Sequence, residues 1–264
     1  MKIRFNLTLI PLAFAALFIM TSCDDDDDTP DPIELSNFNE IAVTGDAVVE
    51  LTFAGIQNVE LAGGTSLDEV ELEVNGDRLE ITPTGSGDEP TIRIEHPSIR
   101  ALDAGGNAVI YLESAFPSSA NEFDITARDA ARVLSDNELS SSVVNIELRN
   151  AAAVAIEVIQ SVRLNVDMFD GARCNLDGFA RTQNINLTNG CQFNLDFPVS
   201  GYDFSDPVEA DSVWVTVDNG GQAWVYPRFY LNATASTGSR IFYKGDPVTI
   251  IDDITGGSDL ESMD

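Results

Sequence analysis

Between Leu102 and Tyr243 the chain writes one short pattern seven times. Its centre is Gly or Ala, at Gly105, Ala130, Ala151, Gly171, Gly190, Gly220 and Gly238. An apolar residue stands three positions before each centre, from Leu102 through Met168 to Ala235. A small residue follows each centre directly, as in Ala131, Ala172, Cys191 and Ser239, and an apolar one stands three after, as in Val133, Phe193 and Ile241. Asn or Asp precedes five of the seven centres: Asp129, Asn150, Asp170, Asn189 and Asn219. The centres are 25, 21, 20, 19, 30 and 18 residues apart. A period near 20 that carries its own strand–turn–strand signal belongs to stacked β-solenoids, in which no single rung can bury its own apolar face.

Alternation assigns the faces. Strand side chains point to opposite sides in turn, so Ile146 and Leu148 face inward while Glu147 and Arg149 face out. Leu164, Val166 and Met168 repeat the pattern, as do Ile185 and Leu187. The Gly or Ala centre interrupts the alternation at a tight corner. Asn or Asp before it tolerates left-handed backbone, and stacked copies can form a ladder of like side chains. The expected architecture is all-β: a single-domain parallel β-helix-like solenoid, right-handed by the default for parallel crossovers.

Residues 38–100 are less regular. Val70, Leu72 and Val74 share a face, Asn75-Gly76-Asp77 turns, and Leu79 and Ile81 resume, which reads as a hairpin. Ile92 and Ile94 mark a further strand. These strands are expected to begin the same β structure and cap its first open end. The 30-residue interval holds an excursion loop at about 196–211, with Tyr202 and Phe204. A degenerate eighth turn is centred on Gly257, 19 residues after Gly238.

The chain has 264 residues and a formal charge of −30. That charge repels nucleic acid phosphates and sets DNA and RNA aside as partners. Cys23, Cys174 and Cys191 are too few for a disulfide scaffold and lack zinc-site spacing. Cys174 and Cys191 flank adjacent turns, so a disulfide and two buried thiols are both open readings. His96 is the only histidine; with no Ser or Cys partner in view it reads as a turn or surface residue.

Lys2 and Arg4 precede an apolar run from Leu9 to Met20, too short to span a bilayer comfortably. Residues 1–22 therefore read as a signal peptide. Met20-Thr21-Ser22-Cys23 resembles a loose lipobox, making Cys23 the acylated first residue of the mature chain. Each buried acyl methylene supplies about 0.8 kcal/mol. Residues 23–37 form an acidic flexible linker: Asp24 to Asp28 cannot pack and stay solvated. This run is a spacer or a surface-export signal; it lacks the fixed oxygens of a calcium loop, and no metal or cofactor site is expected. The β domain then occupies 38–264.

The lipobox-like Cys23, the opening Phe38-Asn39-Glu40-Ile41, the Gly-Ala-x-hydrophobic repeats and the closing Ile241-Phe242-Tyr243-Lys244-Gly245-Asp246-Pro247 together resemble the putative auto-transporter adhesin, head GIN domain family. The resemblance covers roughly residues 38 to 245. It implies a β-helix-like fold on a secreted or surface lipoprotein of a Gram-negative bacterium, with no catalytic residues to carry over. Ala130 and Ala151 depart from the Gly of the pattern.

Two groups are candidates for contact. Parity places Trp214, Trp224 and Tyr226 outward, exposed or covered by the 196–211 loop, and flat rings on a β face suit sugar stacking. The outward position two after each centre holds Arg132, Arg173 and Arg240, which either bind carboxylated glycans or offset neighbouring acids. The leading expectation is a non-catalytic surface lipoprotein of the outer membrane, anchored through Cys23, that binds a glycan or a surface protein of a host or neighbouring cell. The alternatives are a structural envelope protein without soluble ligand and a β-helix polysaccharide lyase or hydrolase using carboxylates such as Asp129 and Asp170 with Arg173.

Overall fold

The computed structural model describes residues 33–85, 89–117, 121–195 and 206–263. The signal peptide, Cys23, the acidic run, Tyr202 and Phe204 lie outside the described residues. Among those described there are nineteen strands, one sheet and no helix. In chain order they are β1 (Glu40–Val43), β2 (Val48–Phe53), β3 (Asn58–Ala62), β4 (Val70–Asn75), β5 (Arg78–Pro83) and β6 (Thr91–His96). Next come β7 (Ala101–Ala104), β8 (Val109–Leu112), β9 (Phe116–Pro117) and β10 (Glu122–Ala127). Three long strands follow: β11 (Arg132–Leu148), β12 (Ala153–Phe169) and β13 (Arg173–Thr188). The last six are β14 (Gln192–Phe193), β15 (Glu209–Asp218), β16 (Gln222–Ala235), β17 (Arg240–Tyr243), β18 (Thr249–Ile254) and β19 (Asp259–Ser262).

Two parallel ladders run through the molecule. Before each turn, β7, β10, the later halves of β11, β12 and β13, then β15, the later half of β16 and β18 stack in register. After each turn, β8, the opening halves of β11, β12 and β13, then β14, the start of β16, β17 and β19 do the same. One inward column shows the consequence. Leu79, Ile41, Leu102, Ile125, Ile146, Val166, Ile185, Val215 and Ala233 stand one above another, each at most 2% exposed. Each such side chain contributes about 1.5–3 kcal/mol on burial, and only the stack makes that burial possible.

The turns are built as expected, with one displacement. From Asn150-Ala151 onward, through Asp170-Gly171, Asn189-Gly190, Asn219-Gly220, Thr237-Gly238 and Gly256-Gly257, both central residues have positive φ, the signature of type I′. Ala151 holds φ 64 in spite of its Cβ, whereas Ala130 avoids that region and only Asp129 (φ 65) enters it. In the first copy, however, Val109 stands opposite Arg132 and Ala104 opposite Ala127. The true centre is therefore Asn107, not Gly105, with Gly106 in the place of Asp129. One rung earlier Asp46 stands beneath Asn107, because Val48 pairs with Val109 and Val43 with Ala104. This turn escaped the repeat reading because Gly comes first in it: Gly45 and Gly106 carry the positive φ at the first central position, as in type II′. The eighth turn at Gly257 forms as expected and carries β18 and β19. Corner side chains bond from rung to rung: Asn107 Nδ2 donates to Asp46 Oδ1 (2.5 Å), Asn189 to Asp170 (2.8 Å) and Asn219 to Asn189 (3.1 Å). The always-small residue is fully buried at the corner, as at Ala131, Ala152, Ala172, Cys191 and Ser239, and at Gly221 even a Cβ would lie 2.8 Å from Val217 Cγ1.

The N-terminal end is sealed as expected. β5 and β6 form a rung beneath β1 and β2, and the antiparallel strands β4 and β3 cover it. His96 lies inside this cap, 4% exposed, which corrects the surface reading. Its ring packs on Phe38 at 4.8 Å; Nδ1 accepts from Ser98 N–H and Nε2 faces Gln57 Oε1 at 3.2 Å. Burial lowers its pKa from 6.5, against the raising effect of backbone hydrogen bonds. The sign follows: the folded state keeps the ring neutral, so this contribution is complete above pH 6.5 and is lost as pH falls through the folded pKa. Wild-type stability should fall by up to about 1.4 kcal/mol per pH unit below 6.5 from this group. Urea midpoints at pH 7.5 and 5.5, compared between wild type and His96→Gln, check it; the variant loses this part of the pH dependence.

Cys174 and Cys191 are both buried free thiols. Cys174 stands opposite Phe193, and the adjacent register places Cys191 opposite Ala172, so the stack offsets the two sulfurs. Cys191 Sγ donates to Thr188 O at 3.0 Å, and burial raises the pKa of both thiols.

Candidate functional site

The outer surface of the pre-turn ladder carries a groove of about 510 Å³. Outward positions from successive rungs line it: Asp124 and Thr126, Asn145 and Glu147, Asn165 and Asp167, Asn184 and Asn186. In-register stacking turns these into columns of like groups. Asn145 Nδ2 donates to Asp124 Oδ1 (2.7 Å) and Glu122 Oε1 (2.6 Å), Asn165 Nδ2 to Asn145 Oδ1 (2.7 Å), and Asn184 Nδ2 to Asn165 Oδ1 (2.8 Å). In the neighbouring column Asn186 Nδ2 donates to Asp167 Oδ1 at 2.8 Å. An amide has two N–H donors and two acceptor sites. The rung-to-rung bonds use one N–H each of Asn165 and Asn184 and fix both planes. A second N–H on each, and Asn184 Oδ1, remain to meet a ligand.

Trp214 is the next member of the amide column, directly opposite Asn184. It is 40% exposed and lies 5.2 Å from the ring of Tyr230 at an interplanar angle of 42°. An indole propped by a second ring and set next to Asn184 in the column of amides offers a flat apolar face beside fixed donors and acceptors.

The other sequence candidates sit elsewhere. Trp224 and Tyr226 lie beyond the Asn219-Gly220 turn, in β16 on the post-turn ladder. They are half-buried, on the face opposite the buried Ala223 and Val225. Trp224 stands opposite Phe242, and its Nε1 is buried with no hydrogen-bond partner among the described residues. Lys244 Nζ lies 5.4 Å from the Tyr226 ring centroid. Trp214 and Trp224 therefore do not share a patch. Arg132, Arg173 and Arg240 do form one column, on the post-turn ladder, where Arg240 stands opposite Asp259. Asp129 and Asp170 accept from Asn150 (3.3 Å) and Asn189 (2.8 Å) within the corner ladder.

Sequence reading missed the amide column, although its signal was present. Asp124, Asn145, Asn165, Asn184, Trp214 and Asn232 each lie six residues before a turn centre. A second cleft, of about 330 Å³, lies near the N-terminal cap among Glu50, Glu60, Glu95 and Glu113, where Arg93 bonds Glu50 at 2.7 Å. No group of three His, Cys, Asp or Glu side chains arranged to hold a metal occurs among the described residues.

A parallel sheet stack displaying a groove on one outer face defines a class of all-β repeat proteins. The chain belongs to the family described as putative auto-transporter adhesin, head GIN domain, which it matches over residues 37–247. No curated protein matches it. Solved structures share the fold. A protein from Parabacteroides distasonis ATCC 8503 described as a putative lipid binding protein has TM-score 0.76 and 17% identity over 88% of this chain and 95% of its own. A putative adhesin from Parabacteroides merdae ATCC 43184 has TM-score 0.74 and 15% identity, covering 89% of this chain and 96% of its own. A second putative adhesin from P. distasonis has TM-score 0.74 and 16% identity, with 89% and 96% covered.

Proposed function

We propose that the chain is a right-handed parallel β-solenoid held at the outer-membrane surface by lipid on Cys23, and that it is a non-catalytic adhesin binding an uncharged glycan across the Asn145–Asn184 groove and the adjoining Trp214. Family membership supports the surface and adhesin parts of this reading. One observation carries the ligand part: an exposed indole beside Asn165 and Asn184, amides whose planes are already fixed. Sugar rings present an apolar C–H face and a rim of hydroxyls. The first stacks on Trp214, and the second meets the spare N–H groups of Asn165 and Asn184. Because the ladder orients these amides beforehand, binding loses little side-chain entropy. A net charge of −30 and the carboxylates of Asp124, Glu147 and Asp167 disfavour anionic glycans.

A glycan array probed with the chain and with Trp214→Ala tests the site. Neutral glycans are expected to bind, and the substitution should weaken binding about thirtyfold, near 2 kcal/mol, as for a buried aromatic anchor. Trp224→Ala should leave affinity unchanged. A folded protein that binds no glycan, or whose Trp214→Ala form binds as before, moves the assignment to a structural envelope protein. Acyl labelling that survives Cys23→Ser would remove the anchor.

A further inference from the structure

We propose that β18, on the last described rung, is a docking edge for a β-strand of another protein, one that carries Lys or Arg between apolar residues. β18 pairs with β16 and β19 with β17, and among the described residues no strand pairs with β18 on its other side. The rung presents apolar surface: Ile250, stacked on the buried Leu231, is 41% exposed, Ile251 is 50% and Val248 is 83%. Open edges of this kind pair readily with added strands.

The inward column specifies which strand fits. From Leu102 to Ala233 it is apolar and buried, but on the terminal rung the same position is Asp252, which is exposed. A strand added in register places one residue over Asp252 and apolar residues over Ile250 and Ile254. An apolar residue over Asp252 would strip a carboxylate of water and leave it unpaired. Lys or Arg there would pair with it. Asp253, Asp259 and Glu261 add to the same field, and residues 249–263 contain no Lys or Arg. These charges also disfavour a second copy. β18 against β18 would bring Asp252 and Asp253 to their own kind, and the opposite end of the stack displays Glu71 and Glu73 from β4. The proposal does not depend on the groove.

The test uses the full chain and two synthetic peptides in which Thr alternates with Val, a central ion and Val, the ion being Lys in one and Glu in the other. The Lys peptide should bind and slow amide exchange in 249–262, and the Glu peptide should not bind. Asp252→Lys should weaken the Lys peptide at least about tenfold and confer binding on the Glu peptide. Glu71→Lys, at the far end, should change neither. Lys-peptide binding that is unaltered by Asp252→Lys, equally weakened by Glu71→Lys, or without protection in β18 overturns the proposal. So does self-association of the wild-type chain through this edge.

Discussion

Gly178→Ala is expected to lower stability by about 3 kcal/mol or more, combining backbone strain with a steric clash. Gly178 sits at φ 111, opposite Ile159, where the register between β12 and β13 shifts after Ile156. A Cβ there would lie 2.3 Å from Ile159 O and 2.6 Å from Ile159 N. Those are backbone atoms of the adjacent rung, so they cannot move aside as a side-chain tip would. Gly190 provides the comparison: its φ is 73, but a Cβ would meet nothing within 4 Å. Gly190→Ala should therefore cost only the left-handed penalty, about 1–2 kcal/mol. Urea denaturation of both variants separates strain from clash. Equal losses would refute the claim that rung spacing makes Gly178 indispensable.

Ile185→Asp should cost about 4 kcal/mol or more, enough to unfold much of the protein, because it places a carboxylate in the dry inward column between Val166 and Val215. The same residue type already occupies that column at Asp252, where the rung is exposed. Asp252→Ile should accordingly leave stability within about 0.5 kcal/mol of wild type, as a surface change does. The pair tests whether position in the stack, rather than residue type, sets the cost. Ile185→Val, expected to lose about 1 kcal/mol, supplies a measurable point if the Asp variant does not fold. An Ile185→Asp protein that melts like wild type would mean that the column is hydrated.

Most of the fold was legible because its information is local. Alternation in segments such as Ile146–Leu148 and Ile185–Leu187 reports which side chains face inward, and Asn-Gly steps report positive φ at both corner residues. The legibility failed where chemistry changed order without changing geometry. Gly45-Asp46 and Gly106-Asn107 turn the chain as Asn189-Gly190 does, but with Gly first, so a pattern centred on Gly or Ala passes over one and sets the other two residues early.

The sequence by itself determined the period, the all-β class, the inward set and the eighth turn at Gly257, since each depends on residues close together in the chain. Only the tertiary structure decided what stands beside what. Whether Trp214 lies over Asn184 or next to Trp224 depends on register across the 30-residue interval between Gly190 and Gly220, and ten inserted residues leave that register unspecified until the rungs stack. Burial is likewise a property of neighbours. His96 is covered because β3 folds back on β6, and Asp252 is uncovered because its rung has a partner on one side. Backbone hydrogen bonding and apolar contact between rungs, which no isolated repeat can make, place the amide column and its indole on one outer face and leave the acidic edge exposed.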